Sequence, residues 1–154
     1  MEKVIILGNK EEADEILKIC ASWEVYFKNR EWEMQYFFVG AERPLAEIVS
    51  QKADMIVCFN LAGFHEKMFG EDIFLNKLYC PIINFIGRPL VKNELELLDS
   101  RMNITISFFT DCHENVENVK QYLEFPPYIQ YVKNLQNAWE EIDLESVLLY
   151  GNDK

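Results

Sequence analysis

Asn60, His65, Arg88, Asp111 and His113 are the residues whose types and positions in this 154-residue sequence could build a site. Each follows a short apolar run: Asn60 and His65 come after Met-Ile-Val-Cys-Phe, Arg88 after Ile-Ile-Asn-Phe-Ile, and Asp111 with His113 after Ile-Thr-Ile-Ser-Phe-Phe-Thr. An amide donates and accepts at once, a guanidinium holds an anion through two parallel hydrogen bonds, and an aspartate with two imidazoles could move protons. Both histidines of the chain belong to this set. A metal is not expected, because no third ligand stands at the spacing of a motif such as HExxH. The same residues also have a structural reading, in which Arg88 pairs with a neighbouring acid, His65 packs on Phe64 or Phe69, and Asp111 caps a helix with Glu114 answering.

The runs that carry these residues predict the fold. Residues 54–60 are apolar without alternation, as in a strand buried on both faces of a parallel sheet. Further strands are expected at 4–7, 34–39, 82–86 and 104–109, with a short sixth at 128–132. Between them come helical patterns. Ile16, Ile19, Cys20, Trp23 and Phe27 predict one helix from an Asn9 cap, answered by Glu12, to about residue 29. Pro44 opens a short helix with Leu45, Ile48 and Val49 inward, and another is expected over 91–98. Val116, Val119 and Leu123 line the helix after Asp111, Pro126-Pro127 stops it, and Leu135, Ala138, Trp139 and Ile142 mark a last one. Pro81 is tolerated as the first residue of its strand. Strand and helix alternate with connections too long for hairpins, so the expectation is a single α/β domain over residues 1–154. It is a three-layer Rossmann-like fold with a mainly parallel sheet of five or six strands, in which Ile56, Cys58, Ile83 and Phe85 are buried. The candidate residues then converge on the rim at the carboxyl ends of the strands, where open α/β sheets bind ligands.

Composition narrows the partners. Fifteen Lys and Arg against 26 Asp and Glu leave a formal charge of −11, which repels nucleic acid and anionic membrane surfaces. The four cysteines are far apart and form no CxxC pair, so they are expected as reduced thiols in a cytoplasmic protein. The first apolar run spans only four residues, too short for a signal peptide or a membrane span. No cofactor is expected either. The turn Gly8-Asn9-Lys10-Glu11-Glu12-Ala13 has one glycine where a dinucleotide site has G-x-G-x-x-G, and its glutamates repel phosphate. Walker and G-x-S-x-G motifs are absent, and the acids of a phosphoacceptor domain are replaced by Gly8-Asn9 and Asn60. Cys112 and His113, neighbours at a helix start, point about 100° apart and do not naturally pair as nucleophile and base.

Taken in order, residues 54–60, the run from Pro81 to Gly87-Arg88-Pro89, and the run from Asn103 to Asp111 resemble the amino-terminal half of bacterial glycosyltransferase-like proteins of the two-Rossmann-domain (GT-B) type. The resemblance covers roughly residues 50–132. It implies an acceptor-side domain without the donor-binding carboxy-terminal domain, and it matches Asn60, Arg88 and Asp111 to the family's rim positions. The turn before Pro89 departs from the family, with Gly87-Arg88 where an acid or histidine is common. The leading expectation is a stand-alone binding or accessory domain for a small polar or sugar-like ligand, one that transfers no sugar by itself. The alternatives are a small enzyme using His65, Arg88 and His113 on the rim, and a subunit that meets a protein partner or a second copy through the aromatic connection 64–78.

Overall fold

The computed structural model describes residues 2–40, 52–62, 80–98 and 106–152. His65, the connection 64–78, the helix expected after Pro44 and the first residues of the run 104–109 lie outside them. The elements are β1 (Glu2–Asn9), α1 (Ala13–Ala21), α2 (Trp23–Asn29), β2 (Trp32–Val39), β3 (Met55–Phe59), β4 (Ile82–Ile86), α3 (Lys92–Leu98), β5 (Ile106–Thr110), α4 (His113–Tyr122), β6 (Ile129–Tyr131) and α5 (Leu144–Asn152).

The strands form one sheet in the order β2-β1-β3-β4-β5-β6, and every pairing is parallel. All five residues of β3, of β4 and of β5 are buried, as unbroken apolar runs require when both faces of a sheet are covered. Alternation divides them between two cores. Ile5, Leu7, Ile56, Cys58, Ile82 and Phe108 pack with Leu98 of α3 and Val119 of α4. Val4, Ile6, Val57, Phe59, Ile83 and Phe85 pack on the other face with Ile16, Trp23 and Phe27 of α1 and α2 and with Trp139. This is the expected three-layer Rossmann-like fold, and Ile56, Cys58, Ile83 and Phe85 are all buried. Asp54 sets the register at the entrance to β3, because its backbone N–H donates to Lys3 O and its carboxylate accepts from the Lys3 N–H, both at 2.8 Å.

Three local expectations are corrected. The first helix is broken at Ser22, one residue before Trp23. Trp23 is fixed by its indole N–H to Leu135 O (2.9 Å) and by ring contacts with Phe59, Phe85 and Trp139, so the chain turns to meet them. Asn9 makes no side-chain cap bond, and α1 starts only after a 3₁₀ turn at Lys10–Glu12, because the Glu12 carboxylate is engaged by Asn60 instead of answering a cap. The final helix divides as well: Ala138 and Trp139 belong to a 3₁₀ turn, and α5 begins at Leu144 with Asp143 accepting from Glu145 N and Ser146 Oγ.

Gly8, read from sequence against a phosphate-binding turn, is explained by packing. A Cβ placed there would overlap the Cδ1 of Ile16, itself buried, so the glycine lets α1 approach β1. Gly8→Ala should therefore destabilise the protein by about 1–2 kcal/mol in urea unfolding, through overpacking. An unchanged midpoint would mean that Ile16 moves aside freely.

Candidate functional site

In the strand order, the connection leaving β1 runs to β2 on one side and the chain returns to β3 on the other. The carboxyl ends of β1 and β3 therefore flank the point where the sheet's connections diverge, the usual place for a crevice. Asn60 stands at that point. Its backbone has φ of 49° and that of Leu61 has φ of 63°, while Ala62 N donates to Phe59 O at 3.0 Å, so residues 59–62 form a tight turn with both central residues in the left-handed region. Asparagine tolerates that region but leucine does so only under strain. The turn is held from all sides. Asn60 N donates to Phe85 O (2.8 Å), Asn60 Nδ2 to Glu12 Oε2 (2.6 Å), and Asn60 Oδ1 accepts from Gly87 N (2.9 Å). Leu61 N donates, at 3.4 Å, to Oδ1 of Asn84, a buried amide standing between Cys58 and Phe108 in the register of the sheet.

Beside this turn lies a concavity of about 190 Å3, to which Glu12, Glu15 and Lys18, Asn60, Gly87, Asp111, Leu135 and Gln136 contribute. Asn60 and Asp111 of the sequence candidates thus line one hollow. Glu15, Lys18 and Gln136 were not singled out from sequence, and Glu12 only as the partner of an Asn9 cap and as a charge opposing phosphate. Acids in the first turns of a helix are ordinary, and only the bond from Asn60 distinguishes Glu12.

Arg88 is directed elsewhere. Its guanidinium donates to both oxygens of Glu94 at 2.7 and 2.6 Å, a fork that holds its charge by hydrogen bonding and raises its pKa further. The Arg88 side chain is 41 % exposed and Glu94 only 7 %. A second amide completes this arrangement. Asn115, fully buried, accepts from Leu90 N (2.8 Å) and donates to Arg88 O (2.9 Å) and Thr110 Oγ1 (3.0 Å), tying the turn after β4 to the end of β5. The pairing of Arg88 with a neighbouring acid, the structural alternative read from sequence, is the arrangement found.

The remaining candidates divide. Asp111 does not cap α4; the cap position is Cys112, whose own side chain makes no cap bond. Thr110 Oγ1 accepts the Cys112 N–H at 3.1 Å instead, and Asp111 Oδ1 lies 3.7 Å from Cys112 Sγ. Burial first, and the Asp111 charge second, push the Cys112 thiol above its ordinary pKa, which keeps it protonated and poorly nucleophilic near neutrality. His113 packs on Tyr131, with ring centroids 3.6 Å apart. Among the described residues no group of three His, Cys, Asp or Glu side chains is placed to hold a metal ion. The concavity therefore offers carboxylates, amides and one ammonium, donors and acceptors suited to hydroxyl groups more than to a phosphate. Compared with family models, curated proteins and solved structures, the chain matches none.

Three substitutions test these assignments. Asn60→Ala removes both side-chain bonds while keeping a Cβ at positive φ, and should cost about 2–3 kcal/mol of unfolding free energy. Asn60→Gly loses the same bonds but relieves the backbone, so it should be about 1 kcal/mol more stable than the alanine variant; equal stabilities would remove strain from the account. Separately, Arg88→Ala leaves a buried Glu94 carboxylate without its fork and should lower stability by about 2 kcal/mol. A thermal midpoint unaffected by that change would show that Arg88 is free for another role.

Proposed function

We propose that this chain is a binding or accessory domain whose carboxyl rim receives a small, neutral, polyhydroxylated ligand, as an acceptor-side glycosyltransferase-like half would. The observation that carries this reading is the Glu12–Asn60–Gly87 bridge, which presents oriented carboxylate and amide groups at the edge of a concavity where Glu15, Asp111 and Gln136 add further partners. Sugar hydroxyls donate and accept, so they match such a surface, whereas Glu12, Glu15 and Asp111 together oppose a phosphate. The commitment of Arg88 to Glu94 supports the same preference, because the cation best suited to anchor an anion is occupied. Among the described residues no helix is long and apolar enough to cross a membrane. Free thiols at the buried Cys20 and Cys58 support a reducing compartment, the cytoplasm.

Amide NMR spectra recorded with glucose, galactose, N-acetylglucosamine, glucose 6-phosphate and UDP-glucose test this directly. A neutral sugar should shift the backbone signals of Asn60, Gly87 and Asp111 saturably, and Glu15→Ala should weaken that binding about tenfold, the equivalent of one good hydrogen bond to a charged group. Phosphorylated sugars should bind more weakly. Saturable binding of UDP-glucose with turnover would replace this reading with an enzymatic one, and no shift with any neutral sugar would end it.

A further inference from the structure

We propose that a second cavity, on the flank of the sheet beside β5, β6 and the start of α5, is a binding site for a small organic cation with a flat apolar body, such as an aryl-alkyl amine. This cavity of about 400 Å3 is lined by Ser107 and Phe109, Tyr128 and Gln130, and residues 141–143, 146 and 147. It shares no lining residue with the rim concavity. Its size is within the usual range for small-molecule sites, roughly 300–1,000 Å3.

Ser107 is the observation that points to a ligand. In the register of the sheet it stands beside Ile83, on a face otherwise built from Val57, Phe59, Phe85 and Phe109. The residue is 6 % exposed, and its hydroxyl makes no hydrogen bond to any described residue, yet it lines the cavity. A hydroxyl on an apolar face costs free energy unless something bonds to it. Thr110, on the same strand but the other face, has three such bonds, to Ile86 O, Cys112 N and Asn115 Nδ2.

Around that hydroxyl the walls are apolar and the mouth is acidic. Phe109 and Ile142 are buried, and the Tyr128 ring meets Phe109 edge to face, with centroids 6.1 Å apart. Tyr128 Oη donates to Gln130 Oε1 at 2.6 Å, which leaves the Gln130 amino group available to a ligand. Glu141 Oε2 accepts from Lys133 N (2.8 Å), so the carboxylate is held in place with its second oxygen uncommitted. Asp143 is oriented by its bonds to Glu145 N and Ser146 Oγ. Among the described residues no lysine, arginine or histidine lines the cavity. Two fixed carboxylates with no cation among the described lining residues favour an ammonium group, the exposed Tyr128 ring adds cation–π attraction, and the apolar walls accept a ring.

Tryptamine and indole-3-acetate, which share a ring and differ in charge, separate this proposal from a nonspecific apolar hole. In calorimetric titrations of the full chain, tryptamine should bind saturably and indole-3-acetate at least about tenfold more weakly, as expected where carboxylates set the choice. Glu141→Gln, which keeps the acceptor to Lys133 N, should weaken tryptamine about fivefold and reduce the discrimination. Ser107→Val should weaken tryptamine while leaving the protein folded by circular dichroism. Glu15→Ala, in the rim concavity, should leave tryptamine affinity unchanged. The proposal is overturned if wild-type protein shows no saturable tryptamine binding, if the two indoles bind alike, or if Glu15→Ala weakens tryptamine as much as Glu141→Gln does.

Discussion

A side-chain amide carries a donor and an acceptor on one plane, and at the end of β3 the Asn60 amide uses both, toward Glu12 on one side and Gly87 on the other. That position needs such a group. β1, β3 and β4 are covered on both faces, so the polar groups where the strands end cannot all turn to water. Asn60 also takes a backbone conformation that β-branched residues avoid, and the bonds around it hold the strained Leu61 in place. The turn, the spacing between the first and fourth strands at the rim, and the shape of the concavity all follow from this one clasp.

Asn115 performs the corresponding task one strand further along. It joins Arg88 O, Leu90 N and Thr110 Oγ1. The two asparagines therefore stitch the carboxyl ends of β3, β4 and β5 into a continuous polar seam. A consequence is that the strongest charge on the rim is spent within the fold. What lines the concavity is a set of acids and amides with Lys18, donors and acceptors that suit the neutral, hydroxylated ligand proposed above. The flank cavity differs in kind, because its polar groups surround an apolar slot and one of them, Ser107, makes no hydrogen bond to a described residue.

Sequence patterns were most informative where a single physical requirement acts along the chain. Unbroken apolar runs located β3, β4 and β5 because burial on both faces leaves no alternation, and Ile82–Ile86 was placed to the residue. Cap patterns were less informative. Asn9 with Glu12 and Asp111 with Glu114 have the right spacing, yet Glu12 is drawn to Asn60 from 48 positions away, and the cap position of α4 falls on Cys112, one residue after Asp111. The apolar residues 135–142 have helical spacing, but Ala138, Trp139 and Ile142 are buried from a 3₁₀ turn and the segment that follows it. Spacing reports which side chains point inward and not which hydrogen-bond pattern brings them there.

By itself the sequence determined the α/β class, the parallel core of the sheet, the buried faces of its central strands and an acidic surface charge, since each depends on residue type and local period alone. It also placed Asn60 and Asp111 at strand ends. Only the tertiary structure decided that these two share a hollow while Arg88 turns away to Glu94, and that Glu12, Glu15 and Gln136 complete it. The reason is geometric. Strand order and the angle of each helix against the sheet set the distances between turns that are tens of residues apart, and hydrogen bonding is decided over tenths of an ångström that no local pattern records.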